Sequence, residues 1–122
     1  MEIHKEDLPK YAITSYQSGS ISIDGQVYSQ SFYVSDSLLV CPWGPSSIQE
    51  LNLAHFEQID LTDIEVIILG HQLGFFMVPS AMRQYLNQYR IGIETMNIGA
   101  ASRTFNLLLS EKRKVLAIFL LN

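Results

Sequence analysis

A single cysteine, Cys41, in a chain of 122 residues excludes an intramolecular disulfide and any cysteine-rich metal centre. Basic residues are scarce as well: 8 Lys and Arg stand against 12 Asp and Glu, for a formal net charge of −4. No stretch gathers them beyond Glu111-Lys112-Arg113-Lys114, which reads as a tight turn between apolar segments. The basic footprint of a nucleic-acid-binding protein is therefore missing. Long hydrophobic runs are missing too, since the longest, residues 115–121, falls far short of the roughly 20 residues that cross a bilayer. The opening MEIHKEDLPKY has no apolar signal core and is too acidic for a mitochondrial presequence. These features make membrane insertion unexpected and the cytoplasm the expected location. Neither a GxGxxG nor a Walker pattern occurs, and His4, His55 and His71 do not fall at a metal-binding spacing. No cofactor is expected.

What is there is a core. With 48% hydrophobic and 16% charged residues, the chain has the composition of a compact globule of one domain. The first third reads as β. Residues 11–16 are extended, and residues 21–23 face residues 26–28 across Asp24-Gly25, a pair suited to a type I′ hairpin turn. A further extended stretch, residues 31–34, turns at Ser35-Asp36-Ser37 and resumes until Pro42, Gly44 and Pro45 stop it. Residues 46–60 read as a broken helix, with Ser47 and Glu50 spaced as a capping box and Asn52 as a second cap.

From residue 65 the pattern changes. Residues 65–69 are nearly all apolar and meet Gly70, as expected of a strand buried on both faces and ended by glycine. Pro79 marks a helix start, and Met82, Tyr85, Leu86 and Tyr89 follow as its buried stripe. Residues 91–96 return to strand, residues 100–110 form a second helix, and residues 115–121 a third buried strand. Strands alternating with helices imply parallel neighbours joined by right-handed crossovers. The expected fold is α/β, with an N-terminal β portion on the same core.

In open α/β sheets, ligands bind beyond the carboxyl ends of parallel strands, where helix N-termini present backbone N–H groups. Two such ends, at Gly70-His71-Gln72-Leu73-Gly74 and at Asn97-Ile98-Gly99, are expected to share one crevice, faced by His71, Asn97, Ser102 and Arg103. Arg103 is the unusual member, because a cation in the first turn of a helix opposes the helix dipole. It either pairs with a carboxylate such as Glu94 or Asp63, or it anchors an anionic ligand. Helical spacing puts Ala101, Phe105 and Leu108 on the buried stripe and Arg103, Asn106 and Ser110 opposite. Cys41 reads as a packing residue, and nothing spaces a Ser-His-acid set. Asp60, Asp63 and Glu65 flank the start of a strand, at the edge opposite the crevice, as solvated turn residues. Trp43 is a candidate interface anchor, or a lid on the core.

Three stretches, CPWGPSSIQEL at 41–51, EVIILGHQLGFFMVP at 65–79 and ETMNIGAASRTFNLLLSEKRKVLAIFLL at 94–121, resemble a small α/β family of unknown function. That family includes prokaryotic single-domain proteins and the mitochondrial complex I (NADH:ubiquinone oxidoreductase) assembly factor 3. The resemblance implies a single three-layer domain with a mixed, mostly parallel central sheet in which one strand runs antiparallel. It also sharpens the candidate site. Family sequences often carry Gly-Thr-Gly where this chain has Gly70-His71-Gln72, and Asp, Cys and Tyr where it has Asn97, Ser102 and Phe105. Gly99, Arg103 and Asn106 remain, a set suited to holding backbone or an anion. The expected function is a non-enzymatic protein-interaction or assembly-factor-like role with an unknown protein partner. The alternatives are a small-molecule or anion-binding protein, conceivably a weak enzyme using the crevice, and a homo-oligomer without a ligand.

Overall fold

The computed structural model describes residues 8–122, so His4 and most of the segment read above for targeting signals lie outside the described residues. Strands β1 (Ile13–Gln17), β2 (Ser20–Ile23) and β3 (Gln26–Tyr28) form a small antiparallel sheet. Asp24 and Gly25, with φ of 50° and 77°, make the two-residue turn between β2 and β3 that their sequence calls for. Next come β4 (Phe32–Val34) and β5 (Leu39–Val40). The Ser35 hydroxyl accepts from the amides of Ser37 and Leu38 at 3.3 and 3.2 Å, fixing the turn between them.

The broken helix is a single 3-10 turn, Ile48–Glu50, followed by α1 (Leu53–Glu57). The Ser47 side chain makes no cap bond, so the first expected capping box does not form. The second does, in a form the sequence hides. Asn52 Oδ1 accepts from the Ala54 amide at 2.9 Å, while His55 Nδ1 accepts from the Asn52 amide at 3.0 Å. An imidazole has taken the place of the usual Glu or Gln.

The remaining elements are β6 (Val66–His71), α2 (Ser80–Gln88), β7 (Gly92–Asn97), α3 (Ile98–Ser110) and β8 (Val115–Phe119). The main sheet has the order β5-β4-β8-β6-β7, with β6 parallel to both β7 and β8. Only β4 opposes the rest, pairing antiparallel with β5 and β8. This is the mixed, three-layer α/β fold expected.

Strand β8 shows how the layers are held. Its residues alternate between faces as a two-residue period demands. Leu116 and Ile118 pack with Ile67, Leu69, Phe56, Met82 and Leu86 beneath α1 and α2. Val115, Ala117 and Phe119 pack with Ile68, Ala101, Phe105 and Ile21 beneath α3 and the small sheet. Each fully buried Ile, Leu or Phe contributes about 1.5–3 kcal/mol.

Several expectations need correction. Gly70 does not end its strand; β6 runs on to His71. Its role is space, because a Cβ there would lie 2.8 Å from Ala101 Cβ and 2.9 Å from the Phe119 ring, so glycine lets α3 sit close on the sheet. Tyr89 is 52% exposed rather than on the buried stripe of α2: it follows the last residue of the helix and lies edge-on to Tyr85 at 5.4 Å between ring centroids. In α3 the buried face includes Leu109, while Leu108 is only partly covered. Trp43 takes the second of its two expected places, a lid on the core: it is buried, edge-on to Tyr33 at 5.3 Å and to His55 at 6.0 Å between ring centroids. Cys41 is partly buried against the α3 layer, and burial pushes its thiol pKa up.

Candidate functional site

The carboxyl ends of β6 and β7 are direct neighbours, with His71 paired to Asn97. Asn97 ends β7 and caps α3, its Oδ1 accepting from the Ala100 amide at 2.8 Å. Strand β1 closes the other side. Tyr16 lies against the first turn of α3, so near that a Cβ on Gly99 would come within 2.9 Å of its ring. Arg103 Nη1 donates to the Tyr16 hydroxyl at 2.6 Å. Tyr16, Gln17 and Ser18 from the small sheet thus face His71, Asn97 and Arg103 across a cleft of about 450 Å³.

His71 is the buried member, with 3% of its surface exposed. Its Nδ1 accepts from the Leu73 amide at 3.1 Å, which places the proton of the neutral ring on Nε2. Burial pulls its pKa below 6.5, so the ring is neutral at pH 7, and Phe76 packs edge-on against it at 6.0 Å. Gln72, beside it, donates from Nε2 to the Leu121 carbonyl at 2.6 Å.

The cleft therefore gathers His71, Asn97, Gly99 and Arg103, and leaves out Gly70, Ser102 and Asn106. Ser102 does not face it: the hydroxyl is buried and donates to the Ile98 carbonyl at 2.8 Å, one turn back along α3. Asn106 reaches instead to β1, accepting from the Ile13 amide and donating to the Ile13 carbonyl, both at 2.8 Å. It is a clamp between α3 and the small sheet. Neither Glu94 nor Asp63 partners Arg103; a phenol on a strand 87 residues earlier does. Tyr16, Gln17 and Ser18 are invisible to sequence reasoning, because no local pattern tells which face of the main sheet the first hairpins cover.

The loop that follows β6 borders this site. Among residues 73–77, Phe75 and Met77 are 78% and 69% exposed. Between them Phe76 turns inward, its carbonyl accepting from the Thr95 hydroxyl at 3.3 Å. The acidic residues lie at the opposite edge, as expected. There Asp36, Asp60 and Asp63 line a separate hollow of about 230 Å³ with Lys114, which pairs with Asp36 at 3.2 Å. Hydrogen bonds from Thr62 hold the Asp60 carboxyl below its usual pKa. Glu65 pairs with Arg113 at 3.2 Å. Among the described residues no three His, Cys, Asp or Glu side chains converge as a metal site, and no helix is long and apolar enough to cross a membrane.

Solved structures share this architecture. The solution structure of XCC1710 from Xanthomonas campestris is 28% identical, with a TM-score of 0.80 over 91% of this chain and 84% of that one. A Bordetella parapertussis protein is 23% identical, with a TM-score of 0.84 over 92% and 96% of the two chains. A Bordetella pertussis protein described as a Mth938-like domain is 18% identical, with a TM-score of 0.81 over 99% and 92%. The likeness to the two Bordetella proteins shows the fold alone. No curated protein is significantly similar to this chain. Residues 13–120, nearly the whole described chain, match the pattern of a protein family of unknown function, DUF498/DUF598, and the chain belongs to that family.

Proposed function

We propose that this chain is a non-enzymatic, cytoplasmic protein-interaction module of the assembly-factor kind, which docks a partner protein through the apolar loop at the carboxyl edge of its sheet. The observation that carries this reading is the exposure of Phe75 and Met77, at 78% and 69%, on a loop whose intervening residue is pinned inward. Large apolar side chains held out by an anchored loop cost solvation in the free protein. Covering them against a partner returns about 1.5–3 kcal/mol each. Phe and Met are also residue types enriched in interfaces. Two of the nearby reactive atoms are occupied structurally: the Ser102 hydroxyl by a helix carbonyl and His71 Nδ1 by a loop amide.

The test is affinity capture from native cells with the wild-type chain and with the Phe75→Ser, Met77→Ser double variant. A protein retained stoichiometrically by the wild type and lost by the variant is the expected result. Retention of the same protein by both, or of none by either, overturns the reading. Sedimentation of the purified chain identifies self-association at this loop, which would replace the foreign partner with a second copy.

A further inference from the structure

The cleft beside that loop holds hydrogen-bond donors that nothing among the described residues receives. We infer that it binds a small oxyanion, a carboxylate or phosphate group, through the juxtaposed His71 Nε2, Tyr16 hydroxyl and guanidinium of Arg103, which α3, starting at Ile98 rather than at residue 100, carries in its second turn. This does not depend on partner docking and uses neither Phe75 nor Met77.

Four observations lead to it. His71 is more than nine-tenths buried, with 3% exposure, and its Nδ1 is taken by the Leu73 amide. Nε2 makes no hydrogen bond to a described residue and His71 lines the cleft, so its N–H can donate to a group that enters. The Tyr16 oxygen already accepts from Arg103, which leaves the phenolic proton to donate outward. Arg103 contributes one of its five N–H groups to that bond and keeps the rest of its planar fork, a geometry matched to carboxylate and phosphate. The first turn of α3, a helix of 13 residues, adds the positive end of its dipole, and Asn97 occupies only the Ala100 amide.

Charge distribution supports the same conclusion. In a chain of net charge −4, Arg103 is the one charged residue lining this cleft among the described residues. The carboxylates of Asp36, Asp60 and Asp63 gather at the far edge. Arg103, with a phenol rather than a carboxylate beside it, lacks a counter-charge among the described residues. An entering oxyanion supplies it. At about 450 Å³ the cleft has the size of a small-molecule site.

The test is a ¹H–¹⁵N titration of the full chain with inorganic phosphate and, separately, sodium acetate, at constant ionic strength with sodium chloride as reference. Saturable shifts are expected at the Ile98 and Gly99 amides and at His71 Nε2. Arg103→Ala should weaken the apparent affinity at least tenfold. Because Arg103 is exposed, its removal leaves the fold in place, and unchanged resonances in β8 verify that. Tyr16→Phe, which keeps the ring, should weaken binding severalfold. Saturation by phosphate alone or acetate alone identifies the ligand class, and saturation by both marks a general oxyanion site. Shifts that chloride reproduces, that fail to saturate, or that persist undiminished in both variants overturn the inference.

Discussion

Asn106 offers the sharpest test of how the two sheets are joined. Its carboxamide makes a two-point contact with the backbone of Ile13, both bonds at 2.8 Å, across a separation of 93 residues. Asn106→Ala removes both. Each neutral hydrogen bond is worth about 1 kcal/mol net, and an amide or carbonyl left without a partner in a partly covered setting adds to the loss. The expected destabilisation is about 2–4 kcal/mol, the lower end applying if water reaches Ile13. For a domain of this length that lowers the melting temperature by roughly 8–16 °C. Urea melts measure the first quantity, and hydrogen exchange at the Ile13 amide measures whether β1 has come loose. Asn106→Asp is a useful companion. It can accept from the Ile13 amide but has no donor for the carbonyl, so its stability should move toward wild type as acid restores a proton to the carboxyl. A loss under about 0.5 kcal/mol in Asn106→Ala, well below one net hydrogen bond, with Ile13 exchange unchanged, would show that apolar packing alone holds β1 and that the clamp is idle.

Two further outcomes follow from the same geometry. Gly70→Ala should destabilise by about 1–3 kcal/mol in urea melts, although alanine is normally no worse in a strand, because the new Cβ meets Ala101 and Phe119 at 2.8 and 2.9 Å. A neutral result would mean that α3 can lift from the sheet without cost. Burial lowers the pKa of His71 in the folded chain. As pH falls through about 6.5 the unfolded state takes up a proton that the folded state refuses, so stability should decline below that pH. The difference between wild-type and His71→Gln stabilities, followed from pH 8 to 5, should shrink in acid; a flat difference would refute it.

The parts of the fold legible in the sequence are those with a local cause. The near-continuous apolar runs of β6 and β8 and the Asp24-Gly25 turn each carry their own instruction, and the structure follows them. Half of the cleft is legible for a related reason: strand ends and helix starts in a parallel sheet share an edge, so His71, Asn97, Gly99 and Arg103 had to be near one another. The other half comes from β1. Its place over α3 is marked by tertiary contacts such as Arg103 to Tyr16 and Asn106 to Ile13, spanning 87 and 93 residues, which leave no periodic trace. Gly70 misleads because a glycine that makes room and a glycine that ends a strand look identical in sequence. Trp43 leaves two places open in the sequence, because an aromatic beside a proline declares no face.

Strand β8 divides its side chains between two hydrophobic layers, and the chain's sole tryptophan lies in just one of them. Indole fluorescence therefore reports on the α1–α2 layer, while the amide of Ile13 reports on the layer under α3. A shared strand makes these two halves one cooperative unit: neither can melt without stripping alternate residues of β8 from the other. Coincident denaturation curves from the two probes would be the optical and exchange signature of that single spine.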